Sequence, residues 1–367
     1  MSRENLLLAL VSSLFTLLML EVGLRVVAPD LAGEPVTSNQ YLFYEYDPKL
    51  GWANKPGVKG TFARQEFSYD LAINAHGLRG REVSLDKPAG MRRVAVLGDS
   101  FTWGIGASDA ELYTTLLEKD LGQAEVLNFG ISGYGPVQYH LLTDKVLRFQ
   151  PDAVVVAFCL GNDFIDSVLW ERYRYYKPFA RLDEAGKLVI DGYPIPNVKR
   201  FPSSYDGGLL GALHQASYLF RFVDRHALGL VGRLENFGQK GLKLSGRQYE
   251  FYATPDDPEV KAALAVNRAL FAAMADAYRA KGIRLIVMAV PTGCEFGVCF
   301  PDLTTDTMVT LRLLKASLAG LDLTLVDPTP VLTKADYWEH DGHWRPVGHR
   351  KVSDQLLPVV KAALAGP

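Results

Sequence analysis

Val94-Ala95-Val96-Leu97-Gly98-Asp99-Ser100-Phe101-Thr102 runs four apolar residues straight into a Gly-Asp-Ser turn. An apolar run bounded by charge on one side and turn chemistry on the other predicts a short strand buried on both faces. Gly98 is expected to let the backbone turn sharply at the strand's carboxyl end. Ligands of open α/β sheets bind outside the carboxyl ends of the strands, so a hydroxyl at Ser100 is presented to a crevice and not to core.

Other candidate groups follow in order, each at a predicted strand end. Glu125-Val126-Leu127-Asn128 leads into Phe129-Gly130-Ile131-Ser132-Gly133-Tyr134-Gly135, a glycine-rich loop able to turn N–H groups toward a ligand. Ala153 to Leu160 is a third apolar run and ends in Gly161-Asn162-Asp163. Near the C-terminus, His340-Asp341-Gly342-His343-Trp344 precedes a helix opening at Pro346. Together they supply a hydroxyl, N–H donors, a base and a carboxylate. Taken singly, Ser100 also reads as a helix N-cap, Gly133 as a turn glycine, Asn162 as an Asx-turn residue and His343 as a solvated loop histidine. Asp163 reads as a structural turn residue, and His349, inside the last helical pattern, as a packing or capping histidine. Gly104-Ile105-Gly106 lies well past the strand and lacks the third spaced glycine of a dinucleotide loop.

The rhythm around these blocks alternates strand and helix. A helix opened by the capping box Ser108-Asp109-Ala110-Glu111 and closed by Gly122 follows the first strand. A helix from about Val137 to Phe149 follows the second. After residues 167–255, which carry Trp170 to Tyr176, a hairpin around Ala185-Gly186 and weak helices from Leu209 to Phe237, the alternation resumes. It comprises a helix from Pro258 to Lys281, a strand Arg284 to Val290, a helix from about Asp306 to Ala319, a strand Leu323 to Val326 and the last helix. Such alternation predicts a parallel sheet in a three-layer α/β architecture.

From Val94 to Trp344 these blocks resemble those of the SGNH hydrolases, also called the GDSL esterase and lipase family. The resemblance implies a three-layer α/β/α fold around a five-stranded parallel, flavodoxin-like sheet, here with an aromatic-rich insertion. It implies that Ser100 is the nucleophile, His343 the general base and Asp341 the carboxylate that orients it. The oxyanion hole would comprise the Ser100 N–H, Gly133 and Asn162. Many members separate the Asp and His by two residues, whereas here Gly342 alone stands between Asp341 and His343. His340 competes for the base, although in extended backbone it would face away from whatever pocket Asp341 lines. The chemistry fits these residue types, since a His bonded to a Ser takes its proton as the new bond forms and an Asp on the far nitrogen holds the reactive tautomer.

Composition sets the surroundings. Of 367 residues, 48% are hydrophobic and 22% charged, the formal net charge is −2, and neither a basic stripe nor a nucleic-acid motif is present, so no nucleic-acid partner is expected. No metal or cofactor is expected, because no His or Cys set has ligand spacing. Leu6 to Leu20 is free of charge, and the apolar character continues to Ala28, interrupted by Glu21 and Arg25. The reading is an uncleaved signal anchor, with Glu21 and Arg25 at the membrane surface. A cleaved signal peptide is the alternative, since Val26 and Ala28 are small-residue positions. Arg3 favours a cytoplasmic N-terminus, which leaves the rest of the chain extracytoplasmic, periplasmic or at the cell surface. There Cys294 and Cys299 could close a small disulfide, while Cys159 reads as a core residue.

The expected organisation is therefore a membrane segment over 1–28, a wrapping segment over 29–91, the catalytic domain over 92–166 and 256–367, and an insertion or lid over 167–255. The expected activity is hydrolysis of O-acyl esters, with O-acetyl groups of a cell-surface carbohydrate the expected substrate. An O-acyltransferase using the same acyl-enzyme and a catalytically idle glycan-binding protein are the alternatives.

Overall fold

The computed structural model describes residues 2–27, 43–172, 175–196, 216–223, 255–296 and 308–365. They divide into two compact units, one holding residues 2–27, 63–65 and 216–223 and the other the remainder. The first unit contains helix α1, Arg3–Val27, none of whose residues is buried. At 1.5 Å per residue, this helix is about 37 Å long, enough to cross a hydrocarbon core of about 30 Å. Its most apolar 18-residue stretch has a mean hydropathy of 2.2, so the helix is long and apolar enough to cross a membrane. Toward its end, the Glu21 carboxylate accepts hydrogen bonds from the Arg25 guanidinium (2.9 Å), the Ser217 hydroxyl (2.8 Å) and the Tyr218 and Leu219 N–H groups (both 2.9 Å). The two charges that interrupt the apolar run thus pair with each other. The predicted Leu209 to Phe237 helices lie largely outside the described residues, as does the Cys294 to Cys299 bridge.

The second unit begins with two small sheets. Strands β1 (Tyr44–Asp47) and β2 (Gly51–Asn54) pair antiparallel, and β3 (Lys59–Ala63) and β4 (Ser68–Ala72) form a two-stranded ribbon. Phe43, Phe62, Phe67, Leu71 and Ile73 form a small core around Trp103 and Ile105.

The main sheet then starts with β5 (Arg92–Leu97), which feeds the one-turn helix α2 (Ser100–Trp103). Next come α3 (Tyr113–Leu121), β6 (Ala124–Asn128), α4 (Pro136–Leu141), α5 (Thr143–Leu147) and β7 (Ala153–Cys159). The short α6 (Asp163–Asp166) leads to the ribbon of β8 (Glu171–Arg172) and β9 (Tyr175–Tyr176) and the hairpin of β10 (Phe179–Leu182) and β11 (Leu188–Asp191). Helix α7 (Pro258–Arg279), β12 (Arg284–Val290), α8 (Val309–Leu318), β13 (Thr324–Val326) and α9 (Pro346–Leu364) complete it. The strands of this sheet are all parallel, in the order β13-β12-β7-β5-β6.

Period-two alternation splits each central strand between two cores. Ala95, Leu97, Val154, Val156 and Phe158 face one, with Val137, Val146, Leu270 and Leu314 of α4, α5, α7 and α8. Val94, Val96, Val155, Ala157 and Cys159 face the other, with Leu117 of α3 and Val352, Leu356 and Val360 of α9. The sheet is therefore covered on both faces, as the continuous apolar runs require.

Three local expectations change. The Ser108 capping box is present but caps the 3-10 turn Asp109–Glu111, and α3 starts only after extended Leu112. The helix expected over Val137 to Phe149 is divided into α4 and α5 and begins at Pro136, whose missing N–H suits a first turn. Gly98 is needed for space and not for a left-handed φ, because a Cβ there would lie 2.0 Å from Thr102 Oγ1.

Candidate functional site

The order of the sheet reverses between β5 and β7, which makes their carboxyl ends the topological switch point where α/β sheets open a crevice. Ser100 follows β5 there. Asp99 caps α2 by accepting the Phe101 N–H (2.9 Å), and the Trp103 N–H bonds back to the Asp99 carbonyl (2.8 Å), which fixes Ser100 as the first helical residue. Burial raises the Asp99 carboxyl above its ordinary range, against the lowering effect of that bond and of nearby His343.

Ser100, His343 and Asp341 come together although 243 residues separate the first two. Ser100 Oγ lies 2.7 Å from His343 Nε2, and His343 Nδ1 lies 2.5 Å from Asp341 Oδ1. Gly342, at φ +79°, permits the reversal that brings Asp341 back onto the ring two residues ahead. The loop closes through Gly342 N–H to the Trp338 carbonyl (3.0 Å) and Trp338 N–H to the His343 carbonyl (2.9 Å). Phe101 packs on the His343 ring at 4.7 Å, and buried Trp344 packs on Phe101 at 4.9 Å. His340 is exposed.

The glycine-rich loop lies directly on the Ser100 turn. Ile131 N–H donates to the Gly98 carbonyl (3.1 Å), and Asn128 ties the two together by donating to the Thr102 carbonyl (2.7 Å) and accepting from the Gly130 N–H (2.8 Å). A Cβ on Gly130 would meet Trp103 N at 2.3 Å, so only glycine allows this approach. Gly133 stands at φ +77° in the turn closed by Tyr134 N–H to the Ile131 carbonyl (3.1 Å). Among the described residues, neither the Ser100 nor the Gly133 backbone N–H donates to a protein acceptor.

Asn162 follows β7, and its side-chain amide is engaged by carboxylates. Nδ2 donates to Asp166 Oδ2 at 2.8 Å and to Asp163 Oδ1 at 3.2 Å. Asp163 is fully buried and structural, accepting the Cys159 N–H (2.9 Å) and the Tyr139 hydroxyl (3.2 Å). Burial, and then the charges of Asp99 and Asp166, push its carboxyl well above the ordinary range. Asp166 pairs with Arg172 (3.3 Å), and the buried Lys177 ammonium donates to the Asp166 carbonyl. Burial lowers Lys177 to about 8.

Several contributors carry no local motif. Buried Arg79 donates to the carbonyls of Trp103, Gly104 and Ala107 (each 2.7 Å) and pairs with Asp109 (2.7 Å), so it fixes the chain just after Ser100. Glu66 accepts the consecutive N–H groups of Glu339, His340 and Asp341 at 3.0, 2.9 and 2.7 Å. Among the described residues of the insertion, Trp170 stacks on Tyr176 (5.1 Å) and Tyr175 lies against Trp52 (6.2 Å). Among the described residues, no group of three or more His, Cys, Asp or Glu is arranged to hold a metal ion.

Residues 96–216 match the family model of the GDSL-like lipases and acylhydrolases. The chain carries a GDSL-like lipase/acylhydrolase domain. A domain of this kind is that of an ester hydrolase, and the matched residues take in the end of β5 together with β6 and β7. Solved structures similar to the chain include TesA, at 15% identity over 74% of this chain and 100% of that one, with a TM-score of 0.41. Acetyl xylan esterase AlAXEase matches at 14% identity over 73% of this chain and 99% of that one, with a TM-score of 0.37. A catalytic mutant of Axe2, an acetylxylan esterase from Geobacillus stearothermophilus, matches at 12% identity over 77% and 98%, with a TM-score of 0.40. A search of the curated proteins gave no match.

Proposed function

We propose that the GDSL-like domain is a serine ester hydrolase that uses Ser100, His343 and Asp341 as its triad and acts on O-acyl, above all O-acetyl, groups of a cell-surface carbohydrate. The observation that carries this reading is the continuous hydrogen-bonded chain from Ser100 Oγ through His343 to Asp341, at 2.7 and 2.5 Å. His343 Nε2 takes the hydroxyl proton as Oγ bonds the ester carbonyl carbon, and Asp341 holds the resulting imidazolium. The same proton then passes to the departing alkoxide, which leaves an acyl-Ser100. A water, deprotonated by His343, then attacks the acyl carbon, and the C–Oγ bond breaks as His343 returns that proton to Ser100 Oγ and the acid departs.

The Ser100 and Gly133 N–H groups, which lack protein acceptors among the described residues, would receive the oxyanion. Asn162 would join them by turning the N–H of its longer bond, the one to Asp163, while keeping Asp166. Loss of one such donor typically costs about 3 kcal/mol of transition-state stabilisation. Anchoring by Arg3–Val27 with the domain outside the cytoplasm suits a carbohydrate substrate, and the length and apolarity of that helix support it.

The test is the purified protein with a fluorophosphonate probe and with acetylated glycans, with and without a glycan acceptor. Wild type should be labelled and release free acetate, and Ser100→Ala should do neither. Acetate release that gives way to acetylated acceptor would replace hydrolysis by acyl transfer; a Ser100→Ala protein with wild-type turnover would end the reading. A wild-type protein that binds glycan but turns over neither glycan nor an aryl acetate would make it the idle binding protein.

A further inference from the structure

We infer that Glu66 is a positioning residue for the triad: its carboxylate fixes the backbone of the Glu339 to Asp341 turn and thereby holds Asp341 against His343. The inference rests on the triad reading of Ser100, His343 and Asp341. Three successive N–H groups converge on the two oxygens of Glu66, at 3.0, 2.9 and 2.7 Å. Convergent N–H dipoles of this kind form a site for an anion. The shortest of the three bonds comes from Asp341 itself, the residue whose side chain must reach His343.

An alternative anion for those donors is the Asp341 carboxylate. It sits on the same turn and has a neighbouring backbone donor already near it, the His343 N–H, at 3.4 Å from Oδ1. With Glu66 present, these three donors are satisfied from outside the turn, and Asp341 keeps its bond to the imidazole. Without Glu66, the donors would compete for Asp341, and a carboxylate drawn back onto its own turn no longer orients the ring.

Glu66 is held in register with the rest of the site by its neighbours. Phe62 packs edge-on to Trp103 of the nucleophile helix at 5.4 Å, and Phe67 packs on Trp338 of the histidine loop at 5.3 Å. The Tyr69 hydroxyl donates to the Gly104 carbonyl (3.2 Å) and accepts from the Gly106 N–H (3.2 Å). The strands that flank Glu66 therefore grip both chain segments that form the triad, one beside Ser100 and one beside His343. Arg79, 13 residues downstream, adds three bonds to the segment after Ser100. The segment ahead of the catalytic sheet is by this inference part of the active site and not only a covering.

The experiment compares Glu66→Ala, Glu66→Gln and Glu66→Asp in the full chain, with kcat counted per Ser100 labelled to completion by fluorophosphonate, so that misfolded molecules drop out. Displacements of about 1 Å at a reacting group can cost about 100-fold, so Glu66→Ala should lose about 10- to 100-fold in kcat with KM within about twofold. Glu66→Gln, which keeps one acceptor oxygen and adds an NH2 facing the N–H donors, should recover little of the loss, and Glu66→Asp should recover part of it.

The second readout is the downfield proton resonance of the His343 Nδ1–H in protein labelled with 15N-histidine, which should move or broaden in Glu66→Ala. Asp70→Ala, which removes the Thr61 to Asp70 bond (2.6 Å) on the same ribbon, should leave both readouts as in wild type. Glu66 variants with wild-type kcat per labelled site and an unmoved resonance would overturn the inference while leaving the triad reading intact. A Ser100→Ala protein that keeps its turnover would remove the triad reading itself.

Discussion

Acid should unfold this protein partly through one residue beneath the active site. His349 on α9 is fully buried, stacked on Tyr113 at 6.0 Å and edge-on to Trp344 at 5.6 Å. Its Nδ1 accepts the Tyr113 N–H (3.3 Å), while Nε2 has no hydrogen-bond partner among the described residues. That is the pattern of a neutral ring with its proton on Nε2. Burial, reinforced by the charges of Arg79 and His343, lowers its pKa from 6.5 to about 3.

In the unfolded chain the same ring titrates near 6.5, so below that pH the unfolded state binds a proton that the folded state refuses. The neutral ring's contribution is complete above pH 6.5 and is lost as the pH falls toward 3. At about 1.36 kcal/mol per pH unit, the loss between about pH 7.5 and about pH 4.5 is about 2.5 kcal/mol. His349→Gln keeps an acceptor for the Tyr113 N–H and has no charge to gain. Urea unfolding of both proteins at the two pH values is the assay. Wild type should lose about 2.5 kcal/mol more than the variant over that interval, and a rise in the variant's relative stability at the lower pH is the sign to look for. Curves that fall in parallel would refute the reasoning. Because Trp344 carries the contact on to Phe101 and His343, wild-type activity should be lost together with this stability.

Further outcomes follow from the same geometry. His343→Ala should lose about 10⁴-fold or more in turnover and Asp341→Asn a similar or smaller factor, whereas His340→Ala should stay within a few-fold, as read by hydrolysis of an aryl acetate. A collapse in His340→Ala with His343→Ala nearly intact would reassign the base. Arg79→Ala leaves three carbonyls and Asp109 without their buried partner, and should lower the unfolding free energy by about 3 to 5 kcal/mol in a denaturant titration. Reporter fusions after Gly33 should be active only where the reporter works outside the cytoplasm; active cytoplasmic reporters would reverse the proposed orientation.

The strands, their order along the chain and the polar residues at their ends were legible in the sequence, because strand burial and turn residues are local. Val94 to Leu97 and Ala153 to Cys159 are apolar at every position, and only a strand covered on both faces can use such a run. Gly342 announced the turn that brings Asp341 onto His343, since a positive φ of +79° suits glycine. Tertiary structure alone decided what anchors these pieces. Glu66 reaches a loop 273 to 275 residues away, Asn162 meets Asp166 through the first turn of α6, and His349 becomes a neutral stacked ring only when α9 closes over Tyr113. A carboxylate such as Glu66 has no signature in its neighbours, because its role depends on which N–H groups the fold brings to it. A local pattern can specify which residue turns and which is buried. Which distant donor meets which acceptor is fixed only once the sheet, its two covering layers and the ribbon ahead of them have packed.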